Sequence, residues 1–119
     1  MSKKFNTEIR CPKCGQQFKV SLYRTIWGEM EENRELVMSD RINVVTCPVC
    51  GEVIRIRFPF LYTNAVKQFA VWWEPFHDPT IDTMSDGFAS LSGKDGYLAS
   101  APRIEDWEEF KKAIIKLES

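Results

Sequence analysis

A single histidine, a net charge of only −1 and no apolar run long enough to cross a bilayer narrow what these 119 residues can do. The one histidine, His77, lies in a proline-bounded acidic loop beside Asp78, with no serine or cysteine evident as its partner. A catalytic triad needs three positioned groups, so the chain is expected not to be an enzyme. A membrane helix needs about 20 consecutive apolar residues, and none is present. The opening stretch, Met1-Ser2-Lys3-Lys4-Phe5-Asn6-Thr7-Glu8, is charged and lacks the apolar segment of a secretory leader, so a cytoplasmic setting with reduced thiols is expected. With 44% apolar and 28% charged residues, the composition is that of one soluble domain with a modest core.

Cysteine is equally scarce, and all four copies fall in two matching motifs, Cys11-Pro12-Lys13-Cys14-Gly15 and Cys47-Pro48-Val49-Cys50-Gly51. A zinc ion (Zn2+) takes four thiolates at about 2.3 Å in a tetrahedron, and two Cys-x-x-Cys turns supply two corners each. Proline second in the motif removes an amide that would otherwise need a partner. Glycine after the second cysteine tolerates the left-handed conformation in which the chain leaves such a turn. The remaining amides are then free to point at the thiolates. Redox chemistry on a Cys-Pro-x-Cys site is the alternative. It needs one motif that opens a helix, whereas here there are two, each followed by alternating apolar and polar residues. Two disulfides are a third reading, suited to a secreted chain. The 32 residues between Cys14 and Cys47 exceed the roughly 15–20 of a minimal ribbon, so the gap should hold a helix.

The halves form an internal repeat at an offset of 36. Phe18, Val20 and Leu22 fall opposite Ile54, Ile56 and Phe58, and each unit reads as strand, knuckle, strand. The inserted segment Glu29–Met38 favours a short surface helix, about 29–39, anchored by Met30, Leu36 and Val37 with its acidic side in water. Val53–Phe58 and Lys67–Glu74 alternate as strands, with Tyr62–Ala65 as the connection and Pro59 ending the ladder. Residues 75–86 read as loop, and 88–104 as a hairpin turning at Ser92–Gly96, with Tyr97–Ser100 returning. Asp106 with Glu109 makes a capping box for a final helix, whose Trp107, Phe110, Ile114 and Leu117 recur at helical spacing as a core stripe. The expected fold is thus α+β, a zinc-ribbon-like antiparallel core over residues 1–74 built from two knuckle hairpins, with 75–119 packing on the same domain.

Thr7-Glu8-Ile9-Arg10-Cys11-Pro12-Lys13-Cys14-Gly15, Thr46-Cys47-Pro48-Val49-Cys50-Gly51 and Phe58-Pro59-Phe60-Leu61-Tyr62 together resemble the CpXC domain family over about residues 7–74. The tail from Ala101 to Leu117 is only loosely similar to family extensions. The resemblance implies zinc binding through the four cysteines and no particular activity.

What the domain binds is open to two readings. With eight Phe, four Trp and three Tyr, the chain has aromatic residues to spare. If Phe60, Tyr62, Trp72 and Trp73 were not all buried, they would form a patch for another protein or a second copy. Their ordinary fate is the core. Trp72 and Trp73 are adjacent on a strand and point to opposite faces, so one of them needs a second layer, which the last helix could supply. Alternatively, Lys13, Lys19, Arg55 and Arg57 could form a nucleic-acid stripe, provided all four share a face. The acidic C-terminal half argues for weak, salt-dependent binding at most. Together with Arg10, these groups also have a simpler role, offsetting the charge of the thiolates.

Overall fold

The computed structural model describes residues 3–84 and 96–119, which form seven strands and three helices. Five strands make one mixed sheet in the order β1 (Lys3–Arg10), β2 (Gln17–Trp27), β5 (Phe60–Asn64), β6 (Phe69–Trp73) and β7 (Arg103–Ile104). A separate antiparallel hairpin joins β3 (Val44–Thr46) to β4 (Val53–Arg55). The helices are α1 (Glu31–Met38), α2 (described at residues 79–84) and α3 (Trp107–Glu118). The class is α+β as expected, but the main sheet is not purely antiparallel. Strands β2 and β5 run parallel, as do β6 and β7. The residues between β2 and β5 hold α1 and the second knuckle hairpin, and so make the long crossover that a parallel pair requires.

Strand β2 does two jobs. Its last residues, Thr25–Trp27, pair with β5, whereas its first part pairs only with β1 and carries the first knuckle out as a two-stranded arm. The molecule is correspondingly long, 47 × 28 × 25 Å. Along the arm, Phe18, Val20 and Leu22 are covered while Lys19 and Ser21 are exposed, and Phe5 stacks on Phe58 at 5.6 Å. Phe5 on the arm thus meets Phe58 just past the second hairpin, on which Ile54 and Ile56 are half-buried.

The core has two layers on opposite faces of β5 and β6. On one, Ile26, Phe60, Tyr62, Phe69, Val71 and Trp73 pack against Val37 of α1 and Phe110 and Ile114 of α3. On the other, Leu61, Ala70 and Trp72 pack against Ile81 of α2, with Met84, Tyr97, Leu98 and Ala101 around them. The adjacent tryptophans do point to opposite faces. Helix α3 covers Trp73, and α2 with the 97–101 segment covers Trp72. Asp106 caps α3 by accepting from the Glu109 amide at 2.9 Å. Phe110 and Ile114 are buried as the stripe required, but Leu117 at its far end is exposed.

Several local expectations are corrected. Tyr62–Ala65 is not a connection, because Phe60–Asn64 is β5 and is buried throughout; the turn is Ala65–Gln68. Tyr97–Ser100 is a turn closed by Ser100 donating to the Gly96 carbonyl, and the strand that follows, Arg103–Ile104, pairs parallel with β6 and so is not the return of a hairpin. Residues 88–95 of that hairpin lie outside the described residues. The stretch called loop after Pro75 contains α2, whose Ile81 is wholly buried. Met30 is exposed rather than an anchor; Val37 is fully buried and Leu36 packs at the edge of the core.

Two polar ties fix the helices. Asp40, just past α1, accepts from Trp107 Nε1 at 2.6 Å and from Lys111 Nζ at 2.9 Å. The Lys111 ammonium, helped by the indole N–H, holds the Asp40 carboxyl below the usual carboxylate range. Arg34 of α1 grips Glu118 of α3 with two bonds at 2.8 and 3.1 Å.

Candidate metal centre

The two knuckles repeat each other bond for bond. In the first, Cys11 N–H donates to the Gln16 carbonyl at 2.9 Å and Gly15 N–H to the Cys11 carbonyl at 2.9 Å. In the second, Cys47 donates to Glu52 at 2.9 Å and Gly51 to Cys47 at 3.0 Å. Gly15 and Gly51 sit at φ 77° and 76°, the left-handed region in which an L side chain is strained. The amides of Lys13 and Cys14 bond Cys11 Sγ, and that of Gln16 bonds Cys14 Sγ. The amides of Val49 and Cys50 bond Cys47 Sγ, and that of Glu52 bonds Cys50 Sγ. The first amide able to reach a sulfur is the second after the cysteine, so proline between them costs no donor.

The knuckles meet across a common centre. Cys11 Sγ lies 3.5 Å from Cys50 Sγ and Cys14 Sγ lies 3.6 Å from Cys47 Sγ, with all four sulfurs within 4.8 Å of one another. Thiolates at about 2.3 Å from a central ion stand about 3.8 Å apart at the corners of a tetrahedron. A disulfide requires about 2.05 Å, and all four cysteines are free thiols here. Geometry and donor set thus fit a four-coordinate thiophilic ion.

The sulfurs are not equivalent. Cys11 and Cys47, first in each knuckle, are buried, while Cys14 and Cys50 are exposed. The Cys50 amide, with that of Val49, draws the Cys47 thiol down to about 6, and the Cys14 amide leads a lowering at Cys11. At Cys50 the Glu52 amide pulls down, but desolvation and the Cys11, Cys47 and Cys14 sulfurs outweigh it and push the thiol up to about 12. The four sulfurs thus divide into two drawn toward the thiolate, Cys11 and Cys47, and two held toward the thiol, Cys14 and Cys50.

One residue that positions the centre has no motif to announce it. Asn43, at φ 54°, uses its side chain as a stub of strand: Oδ1 accepts from Tyr23 N–H at 2.7 Å and Nδ2 donates to the Tyr23 carbonyl at 3.3 Å. Its own carbonyl accepts from Ile56 N–H at 3.0 Å. It thereby links β2, which carries the first knuckle, to the hairpin that carries the second. Asn43→Ala leaves two backbone groups of β2 unpaired and is expected to cost about 1–3 kcal/mol in chemical denaturation. Asn43→Gly, which keeps the backbone conformation, separates the side-chain loss from strain.

The remaining candidate residues do not converge. Phe60, Tyr62, Trp72 and Trp73 are 0–5% exposed, so they are core and present no aromatic patch. Lys13 pairs with Glu52 at 3.6 Å beside the knuckles, and Lys19 stands opposite Glu8 on the arm. Arg55 lies over the Trp107 ring at 5.0 Å, and Arg57 lines the same cleft near Trp73 and Asp106. Arg55 and Arg57 thus share one cleft, which Lys13 and Lys19 do not line. Of the five cations assigned to thiolate compensation, Arg10, bonded to the Gly15 carbonyl, and Lys13 bond within the knuckles. His77 is exposed, 3.9 Å from Glu74. No helix among the described residues is long and apolar enough to cross a membrane.

Comparison with curated proteins and with solved structures finds no match. The CpXC protein family model, in contrast, matches residues 9–118, which takes in both knuckles, the mixed sheet apart from most of β1, and the C-terminal helix that sequence similarity had left at the margin. With both Cys-Pro-x-Cys motifs gathered at one centre and the match spanning nearly its whole length, the chain belongs to the CpXC family.

Proposed function

We propose that the cysteine cluster binds one zinc ion as a structural site, and that the domain it stabilises is an interaction module or adaptor for another protein or a second copy. The observation that carries the metal reading is the meeting of four sulfurs within 4.8 Å from two knuckles of matching hydrogen bonding. Zinc suits four thiolates in a tetrahedron, and with all four corners filled by the chain no position is open to activate water. The site then serves folding rather than turnover. Support for the interaction reading comes from apolar groups left in solvent, among them Val49 within the second knuckle, Val53 just after it and Phe5 on the arm. A nucleic-acid role has less support, because only Arg55 and Arg57 of the four basic groups line a common cleft, and that cleft also holds Glu105 and Asp106.

Native mass spectrometry with and without a chelator tests this reading. The expected spectrum carries one zinc per chain, removable by the chelator, and shows whether a dimer or a retained partner is present. A metal-free mass lower by the hydrogens of one or two disulfides would replace the zinc reading with thiol redox chemistry. Acid is expected to release the ion. Bound thiolates have their protonation suppressed in the folded state, so the stability they confer is present at neutral and alkaline pH and is lost as pH falls. Metal content across an acid titration checks the sign.

A further inference from the structure

We propose that the chain pairs with a second copy of itself along β1, antiparallel, with Asn6 opposite Asn6. This rests on the interaction-module reading and names its partner. Strand β1 ends the sheet: its inner edge is held by β2 from Lys4↔Tyr23 to Arg10↔Gln17, and no strand among the described residues pairs with its outer edge. A free edge of eight residues is a template for another strand, and charged side chains ordinarily keep copies off it. Here the charges are arranged to be self-complementary.

The argument is one of register. A two-fold axis perpendicular to a sheet keeps every side chain on its own face, so an antiparallel pair of identical strands must place some residue opposite itself. Two such registers use most of β1, centred on Asn6 or on Thr7. Centring on Thr7 sets Lys4 against Arg10, and like charges directly opposite are destabilising. Centring on Asn6 sets Lys4 against Glu8 twice, once on each side of the axis. Lys4, Asn6 and Glu8 share the exposed face of the arm, whereas Thr7 and Ile9 on the other face are partly covered.

Three further observations agree with that register. Asn6 accepts from Ser21 Oγ at 2.6 Å, which leaves its Nδ2 donors for the facing copy. Phe5, 50% exposed at the edge, falls opposite Thr7 of the copy and gains cover there. A depression of about 530 Å³ over Asn6, Thr7, Glu8, Lys19, Val20 and Ser21 adjoins the edge and has room for the partner's Lys4 stem. An interface this short belongs at the small end of specific ones, so a dissociation constant in the micromolar range is expected.

Sedimentation of the full chain over a concentration series tests the pairing with two charge reversals, Lys4→Glu and Glu8→Lys. The wild type is expected to dimerise, each variant alone to weaken self-association about tenfold or more, and an equimolar mixture of the two to recover it, because Glu then faces Lys on both sides of the axis. A wild type that stays monomeric, variants that dimerise like wild type, or a mixture that stays monomeric would each overturn the proposal. Metal content measured on the same samples keeps the two readings apart. Zinc retained in monomeric variants locates the loss at β1, while a metal-free wild type that still obeys the charge rule would sink the zinc reading and leave this one standing.

Discussion

Cys47→Ser is expected to abolish metal binding and to unfold both knuckle hairpins while the core around Phe110 stays folded. A serine hydroxyl is a poor zinc ligand, and Cys47 is one of the two buried sulfurs, drawn toward the thiolate by the Cys50 and Val49 amides. Structural zinc in small domains contributes about 10–16 kcal/mol of apparent binding free energy at neutral pH, as much as the whole stability of many domains. Little else holds the hairpins together. Strands β3 and β4 are three residues each, and before Thr25 the β2 part of the arm pairs with no strand among the described residues but β1. The Asn43 clamp, the Phe5–Phe58 stack, the Lys13–Glu52 pair and Arg55 over the Trp107 ring remain, and together they are too few to offset the ordering of some thirty residues at roughly 1–2 kcal/mol each.

The loss should stop at the sheet. Phe60, Tyr62, Phe69, Val71, Phe110 and Ile114 form their cluster without any residue of the knuckles. Hydrogen exchange is the decisive measurement: amides of 9–20 and 44–57 should lose protection, and those of 60–73 and 107–118 should keep most of theirs. Retention of zinc with native protection throughout the hairpins would defeat the structural-site reading.

Much of this organisation could be read from residue order because it is written in local chemistry. A Cys-Pro-x-Cys-Gly turn specifies its own geometry, down to the left-handed glycine, and the duplicated motif announces a shared centre. The Asp106 cap and the stripe through Phe110 and Ile114 are equally local. What could not be read was set by tertiary pairing. Phe60–Asn64 is buried on both faces and so shows no alternation, and only its neighbours β2 and β6 make it a strand. The parallel registers arise because α1 and the second knuckle intervene between β2 and β5, and sequence spacing alone does not choose a direction. Asn43 is one asparagine among several until its amide is seen against Tyr23. Phe60, Tyr62, Trp72 and Trp73, which suggested an exposed patch, are consumed by a sheet with a core on each face.

Gly28→Ala is expected to be as damaging as truncating a core residue, although it adds one methyl group. Gly28 follows β2, where the chain turns toward α1, and its amide donates to the Thr63 carbonyl at 2.6 Å. A Cβ there would lie 2.0 Å from Tyr62 Cζ and 2.3 Å from both Cε1 and the hydroxyl oxygen. No pair of heavy atoms tolerates that approach, so either the ring or the strand must move. The ring has nowhere to go: Tyr62 is fully buried, stacked on Phe69 at 6.2 Å and edge-on to Phe110 at 6.5 Å, on a strand paired on both sides. Moving it would also disturb its bond to the Gly28 carbonyl, donated at 3.3 Å. The cost belongs at or beyond the top of the overpacking range, about 3 kcal/mol, enough to lower the melting midpoint by roughly 10 °C. Because the effect is steric and pairwise, Tyr62→Leu in the same chain should relieve it. The double variant is expected to be more stable than the sum of the two single losses, a coupling that thermal unfolding of all four proteins measures directly. Simple additivity would show that Gly28 matters for its backbone and not for the space it leaves to the ring.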